Sequence, residues 1–349
     1  MSVAEQMEAS TQASSNAVPP GGLAAVSRIL LLFCLCYIAG AMLLWPTIFL
    51  AMAKAYLSTL VVTGWIVALA IAIPAGVMAS PQQPLHGVIG FLRSRGRQAA
   101  LVIGIFVLGL SAFTTYKLNI PNVVPFYGDR AMADIDEFLH GTAPWRIAHS
   151  IDTATLSWLV EKTYSQLWFL EWFALAFLAA FHVKQPVHLR YLVALALTTV
   201  VIGTILATLL SSVGPIFYDR FVGGSRFTDL HEALRLYPYS QHMTLFSDYL
   251  LKSYTERTAD FGTGISAMPS MHVAVATLNA FYVTRLNRGF GAAAWAFAAL
   301  ILFGSVYTGW HYAIDGYVSI ALVAMIWRWS ARISGNTARR AETHSGDAL

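Results

Sequence analysis

The chain has 349 residues, of which 57% are hydrophobic and only 11% are charged. Soluble globular domains carry about 25% charged residues, so this composition excludes an ordinary soluble domain. The formal net charge is only +4, and the basic residues cluster in short connections, which indicates membrane topology and argues against nucleic acid as a partner. The two cysteines, Cys34 and Cys36, lie in one apolar run and predict neither a disulfide framework nor a metal site.

Long apolar runs predict an all-α polytopic membrane protein with about eight transmembrane helices. The expected spans lie near residues 30–52, 60–77, 99–115, 167–183, 191–212, 272–285, 291–308 and 311–328. Residues 1–22 are rich in Ala, Ser, Gln and Pro, and are expected to form a disordered cytoplasmic tail. Residues 23–116 then hold the N-terminal spans, residues 117–332 the membrane domain with the histidine motifs described below, and residues 333–349 a second cytoplasmic tail.

Two long stretches, residues 117–165 and 214–264, separate some of these spans. The first mixes aromatic residues, prolines and acids, with apolar anchors at near-helical spacing. That pattern is typical of short interfacial helices rather than of a flexible linker.

The basic residues of the short connections and the C-terminal tail fall on one side of this arrangement. They are Arg93, Arg95, Arg97, Lys184, Arg190, Arg285, Arg288, Arg332, Arg339 and Arg340. The positive-inside rule makes this side cytoplasmic, with both chain termini. The two long stretches and the histidine motifs are then expected on the outer face, in a plasma or inner membrane.

Two histidine motifs stand where membrane helices are expected to begin: Pro269-Ser270-Met271-His272, and the stretch 304–315 with His311 and Asp315. Residues four apart share one helix face, so the Asp315 carboxylate can orient the His311 imidazole. An oriented neutral imidazole can attack phosphorus and form a phosphohistidine. His272 can then protonate the leaving alkoxide and later activate the acceptor.

Residue types alone leave other interpretations open. A histidine at a membrane interface can be a polar anchor, and a His/Asp pair can be a helix-surface pair, a metal site or the proton relay of a non-enzymatic lipid or ion carrier. A metal site would need more ligands, and His231 and His242 are not convincingly spaced for that role. An inactive relative that only binds lipids is a further alternative.

The chain resembles the type 2 phosphatidic acid phosphatase superfamily. Residues 269–272 match its Pro-Ser-Gly-His motif, and residues 304–315 match its last motif, with its Val-Tyr, Gly, His-Tyr and Asp positions. The resemblance implies His311 as nucleophile, Asp315 as its orienting partner and His272 as general acid and base, with no metal and no other cofactor. The implied partners are a membrane lipid substrate, which is a phosphoester, and the lipid bilayer.

The sequence departs from that family at two places. Ser305 stands where the family has an arginine, and the family's first motif, a lysine followed by Arg-Pro, is absent; residues 214–220 occupy that region. These departures, and the stretch 120–145, are similar to the branch of fungal inositol phosphorylceramide synthases and their bacterial relatives. That similarity implies an inositol-phosphate-type head-group transferase.

A phosphate dianion in a partly dry site needs positive partners and hydrogen-bond donors. Arg220 is the first candidate cation, followed by Lys117 and Arg257, although each can equally be a solvated charge. Ser270 and Tyr307 complete the expected donors to the substrate.

Carboxylates can also contact the substrate's head group. Asp129 and Asp136, with Trp145, are expected to line a pocket for a polyol, because carboxylates accept hydrogen bonds from hydroxyl groups. The alternative is that both acids fix the interfacial helices, through helix caps or through pairs with Arg130 and Arg146. Glu171, inside the fourth expected span, is expected to be buried against a polar partner.

Overall fold

The computed structural model describes residues 20–236, 238–260 and 262–346. These residues form helices and connecting loops, without a β-strand, so the predicted all-α class is confirmed. Most of the tail expected at residues 1–22 lies outside the described residues, and the backbone of residues 20–22 belongs to the first helix.

The helices are named here in chain order. They are α1 (Pro20–Leu44), α2 (Pro46–Ala79), α3 (Pro84–Val123), α4 (Asp129–His140), α5 (Pro144–His149), α6 (Ala154–Lys162), α7 (Trp168–Phe181), α8 (Pro186–Leu197), α9 (Ala207–Leu209), α10 (Pro215–Phe221), α11 (Thr228–Ala233), α12 (Pro238–Glu256), α13 (Met271–Leu286), α14 (Arg288–Tyr307) and α15 (Ala313–Gly346). Two π-helical segments, Thr163–Leu167 and Thr198–Leu206, join α6 to α7 and α8 to α9 without a break.

The helix starts follow local chemistry. Proline occupies the first turn of α2, α3, α5, α8 and α10, where its missing N–H costs nothing because that donor has no partner inside the helix. Polar caps begin two further helices: the Asn287 side chain accepts from Gly289 N and Phe290 N at the start of α14, and Ser270 caps α13.

In the described part of the chain, six helical stretches are long and apolar enough to cross a bilayer, so a multi-pass membrane protein is confirmed. They are Leu23–Leu44, Pro46–Ala79, Pro84–Val123, Ala154–Phe181, Pro186–Leu209 and Arg288–Tyr307. The expected sixth and eighth spans correspond to α13 and α15, which fall outside this group. Helix α13 has only 16 residues, and α15 carries Asp315 near its start and a polar C-terminal half.

Two expected boundaries were wrong. The run 30–52 is not one span, because the chain breaks at Trp45 and Pro46 starts a new helix. The basic segment near residue 95 and the start of the expected loop at Lys117 both belong to the 40-residue helix α3. Polar ends can extend a membrane helix beyond its apolar run, so hydropathy alone places such boundaries poorly.

Helix α13 lies in the middle of the larger core. Its buried residues, such as Val273, Ala276 and Leu278, pack with α7, α8, α14 and α15. A second core joins the helices of the two long connections to the start of α15, with Trp145, Phe217 and Leu230 among its buried members. This second core, built from α4, α5, α10 and α11 over residues 307–312, is called the cap core below.

Candidate active site

The two histidine motifs meet at one end of the bundle. His272 lies in the first turn of α13, and His311 lies two residues before α15. Their ring centroids are 6.0 Å apart, with an interplanar angle of 61°. Residues 39 positions apart in the chain are therefore close enough to act on one small group.

Two acceptors fix the orientation of the His311 ring. Its Nδ1 lies 2.8 Å from the carbonyl oxygen of Ala267 and 3.3 Å from Oδ2 of Asp315. Both partners accept hydrogen bonds, so Nδ1 carries the proton and the lone pair of the neutral ring is on Nε2. His311 is only 5% exposed, so this arrangement is screened from water.

Asp315 is fully buried and is held by the backbone that precedes it. Its Oδ2 accepts a hydrogen bond of 3.0 Å from Tyr312 N, in addition to the contact with His311. Its Oδ1 is buried without a hydrogen-bond partner among the described residues. The carboxylate therefore touches the histidine with one oxygen and leaves the other unused.

Asp136 caps the helix that carries Asp315. From α4, its Oδ2 accepts from Ala313 N at 2.7 Å and its Oδ1 from Ile314 N at 2.9 Å. Burial raises the pKa of Asp136, while these two amides act in the opposite direction. A carboxylate at the positive N-terminus of a helix is favourably placed, so Asp136 fixes the start of α15 immediately after His311.

Asp129 organises the loop behind Ala267. It accepts from Val213 N and Gly214 N at about 3.0 Å, and from the hydroxyl of Tyr312 at 3.0 Å. Burial raises the pKa of Asp129, and the two loop amides lower it. Ala267 N donates a hydrogen bond of 3.0 Å to the carbonyl of Ser212 in the same loop. The loop therefore fixes the position of Ala267, whose own carbonyl accepts from His311.

Asp129 and Asp136 thus contact protein donors, which agrees with their expected alternative role of fixing the interfacial helices. Of the two expected forms of that role, the helix cap is seen at Asp136, whereas Arg146 pairs with Asp229 at 2.6 Å and with neither of these acids. A contact of either carboxylate with a substrate stays a prediction.

Aromatic rings hold His272. The ring of Tyr164 stacks on it at a centroid distance of 4.5 Å and an angle of 18°, and the ring of Trp168 lies at 4.2 Å. Trp168 Nε1 also donates to the backbone carbonyl of His272 at 3.0 Å. The imidazole therefore has apolar ring faces around it, whereas His311 has polar partners.

Ser270 belongs to the first histidine motif and is fully buried. Its Oγ accepts from Val273 N at 3.4 Å as the cap of α13, and its own N–H donates to the carbonyl of Asp315 at 3.4 Å. Pro269 consequently precedes the cap and lies outside the first turn of α13. The N–H groups of Met271 and His272 are at the helix start, where intrahelical partners are lacking.

Lys117 is the cation that the structure brings to the histidines. It lies near the end of α3, within electrostatic range of His272. Gly264 allows this approach: its φ is +102°, and a Cβ on it would lie 3.0 Å from Cγ of Lys117. Only glycine adopts that backbone conformation readily.

The remaining expected binding residues lie elsewhere or are already engaged. Arg220 and Arg257 are exposed, and no described hydrogen bond or ion pair joins either of them to the histidines. The Tyr307 hydroxyl donates to Asp152 Oδ1 at 2.8 Å, and its ring stacks on His149 at 4.2 Å. Ser305, at the position of the family arginine, donates to Leu302 O at 2.7 Å within its own helix.

Two further expectations concern Trp145 and Glu171. Trp145 is buried and lines a small cavity together with Asp136 and His311. Glu171 has the expected polar partner, because its Oε2 accepts from Asn279 Nδ2 at 2.9 Å. In the described part of the chain, no group of three or more His, Cys, Asp or Glu side chains is arranged to hold a metal ion.

A comparison with protein-family models gives one match that covers more than half of the chain. The model described as the PAP2 superfamily matches residues 130–329, which include both histidine motifs. The chain belongs to the PAP2 superfamily. Neither the comparison with curated proteins nor the comparison with solved structures found a match.

Membership suggests a lipid phosphatase or phosphotransferase, and members of this superfamily are generally phosphatases. It agrees with the resemblance drawn from the motifs, at the level of the superfamily. The match does not distinguish the inositol phosphorylceramide synthase branch from the rest.

Three neighbours of the histidines were missed by sequence reasoning: the carbonyl of Ala267, and the rings of Tyr164 and Trp168. A backbone carbonyl carries no sequence signal, because every residue has one. Tyr164 lies in the stretch 117–165 and Trp168 at the start of the next apolar run, where aromatic residues look like ordinary anchor or core positions. The π-helical segment that contains Tyr164 is also not visible in the hydropathy pattern.

Proposed function

We propose that this PAP2 superfamily member transfers a phosphoryl group from a membrane lipid phosphoester by way of a phosphohistidine on His311. The orientation of the His311 ring carries the proposal. Donation from Nδ1 to Ala267 O and Asp315 leaves the Nε2 lone pair free for attack, and His272 lies across from it at 6.0 Å between ring centroids.

The first step forms a bond between His311 Nε2 and phosphorus while the bond from phosphorus to the leaving alkoxide oxygen breaks. His272 enters this step protonated and gives its proton to that oxygen. In the second step the neutral His272 takes a proton from water or an alcohol, whose oxygen attacks phosphorus. The P–N bond breaks, its electron pair returns to Nε2, and both histidines are restored.

Charge balance favours Lys117 as the phosphate-binding cation. A phosphoryl group in a site shielded from water needs positive partners, and Lys117 is within electrostatic range of His272. The free N–H groups at the start of α13 are further donors, because a helix N-terminus favours an anion. Arg220 is exposed on α10 and would need to move to contribute.

Features of the sequence support a type of head group and a side of the membrane for this reaction. Ser305 in place of the family arginine and the stretch 120–145 support the head-group transferase branch. The basic connections support cytoplasmic termini and an outer-face site in a plasma or inner membrane. Along α3, Arg97 lies 20 residues before Lys117, about 30 Å at the rise of an α-helix, so the basic end is opposite to the histidines.

The direct test is phosphate release and head-group transfer from labelled lipid phosphates by the purified protein in EDTA. His311→Ala should abolish turnover, while His86→Ala, which changes an exposed histidine at the start of α3, should leave it intact. Activity that requires a divalent ion, or that survives in His311→Ala, would contradict the mechanism. The product identifies water or an alcohol as the acceptor.

One observation favours a second candidate, a carrier with a proton relay. A column of polar groups leads away from the site: Glu171 bonds Asn279, Asn279 accepts from Tyr191 at 2.8 Å, and Tyr191 stacks on Tyr282. Tyr282 in turn bonds His188. Ionisable groups at several membrane depths are typical of relays.

The two candidates make opposite predictions for a pair of variants. A relay requires that Glu171→Gln abolishes transport-linked proton movement in proteoliposomes while His311→Ala retains it. The phosphoryl-transfer proposal requires loss of lipid turnover in His311→Ala. Reconstituted protein assayed for both activities separates them.

A further inference from the structure

Tyr164 lies at the centre of the site. It belongs to the π-helical segment Thr163–Leu167, is only 4% exposed, and stacks on His272. Its ring also packs closely against α14: a Cβ added to Gly304 would lie only 3.2 Å from Tyr164 Cδ2. The side chain is therefore held by contacts with both α13 and α14. Short π-helical segments of this kind occur frequently at functional sites.

The hydroxyl of Tyr164 has no hydrogen-bond partner among the described residues. Other buried tyrosines of this protein do have one: Tyr312 bonds Asp129, Tyr307 bonds Asp152, Tyr191 bonds Asn279, and Tyr282 bonds His188. Burying a hydroxyl without a partner is unfavourable, so an orphaned one in a native site requires an explanation.

The surroundings of this hydroxyl point to a ligand. The ring that carries it covers His272 at a centroid distance of 4.5 Å. The nearby Ser305 hydroxyl is taken by Leu302 O, and the Ser270 hydroxyl accepts at its helix cap. Among the described hydroxyls close to the two histidines, that of Tyr164 is thus a donor without an assigned acceptor.

We propose that the Tyr164 hydroxyl donates a hydrogen bond to a non-bridging oxygen of the phosphoryl group while that group moves between the lipid and His311. This inference rests on the proposed function. Tyr164 keeps its proton throughout: the P–N bond forms, the P–O bond breaks, and His272 alone supplies the proton to the leaving oxygen. The donor stabilises the negative charge that the non-bridging oxygens carry in the transition state.

The test compares Tyr164→Phe with Tyr37→Phe in the full-length purified protein. Tyr37 lies on α1, and its hydroxyl bonds Thr204 away from the histidines. Tyr164→Phe should lower kcat/KM about 100- to 1,000-fold, the range expected for a lost donor to the transition state. It should also weaken the binding of orthovanadate, a phosphate analogue, measured by titration calorimetry; Tyr37→Phe should change neither value.

Thermal stability provides a readout that separates this role from a structural one. Tyr164→Phe removes no hydrogen bond within the protein, so its Tm should equal or exceed that of the wild type. A fall in Tm or a failure to fold would show that the Tyr164 hydroxyl makes a stabilising contact within the protein, and would overturn the inference. Unchanged kcat/KM and unchanged vanadate affinity would overturn it as well.

The same experiment distinguishes failure of this inference from failure of the proposed function. If the wild type turns over lipid phosphates and Tyr164→Phe is equally active, the function stands and the inference falls. If the wild type shows no turnover but binds vanadate more tightly than Tyr164→Phe, the role of Tyr164 as an oxyanion donor stands without the proposed substrate class. If neither turnover nor vanadate binding occurs, both fall.

Discussion

The two histidines of the site are held by different kinds of structure. His311 lies under the cap core, where the carbonyl of Ala267, Asp315 and the amides bound by Asp129 and Asp136 form a connected set of hydrogen bonds. His272 lies between aromatic rings of α7 and of the π-helical segment before it.

This difference matches the two proposed tasks. A nucleophile needs a fixed tautomer, and directional hydrogen bonds to Nδ1 supply that. A general acid and base must gain and lose a proton during each cycle, and ring packing can orient it without holding either nitrogen. Both histidines are thus oriented, but only His311 has its protonation site determined by protein acceptors.

The largest expected effect comes from breaking the cap core at Asp136. Asp136→Ala leaves the amides of Ala313 and Ile314 buried without their acceptor and should lower the free energy of unfolding by about 2–4 kcal/mol. Activity should fall with it, because α15 starts directly after His311. Unfolding in detergent, followed by circular dichroism, measures the change.

Asp134→Ala is the matched control for that variant. Asp134 is on the same helix, but it is exposed and pairs with Arg226 at the surface. Such a pair contributes about 0–1 kcal/mol. If the two alanine variants were equally stable, Asp136 would not be the cap that positions His311.

A smaller effect is expected on the aromatic side. Trp168→Phe removes the bond from Nε1 to the carbonyl of His272 and part of the ring surface, which should cost about 1–2 kcal/mol and slow turnover. Trp172→Phe is the control, because Nε1 of Trp172 has no described partner and its burial is similar. Unfolding and kcat are measured for both; an equal loss of kcat would show that the indole N–H contributes nothing specific.

The smallest effect is expected from Tyr312→Phe. It removes one of the donors to Asp129 and leaves those from Val213 and Gly214, so the expected loss is about 1 kcal/mol. Tyr127→Phe, at an exposed position, should change stability less. Thermal unfolding of the two variants measures the difference. If Tyr312→Phe lowered the free energy of unfolding as much as Asp136→Ala, the cap core would depend on Tyr312 as strongly as on Asp136.

The sequence by itself determined the helical membrane class, the motif pair and the identity of the His311–Asp315 contact. These features are local. Apolar runs and proline at helix starts act within one helix, where periodicity translates directly into geometry. His311 and Asp315 are only four residues apart across the start of α15, so the turn into that helix brings them together. The superfamily resemblance rests on the same two short motifs, and the family match agrees with it.

The tertiary structure decided which groups share the site. Lys117 lies beside Gly264, and its charge acts on His272, because α3 runs unbroken to Val123, whereas Arg220 is exposed on α10. Tyr164 and Ala267 join the site through contacts between segments more than 40 residues apart in the chain. No spacing rule relates such segments, because packing of the whole bundle, and not local periodicity, brings them together.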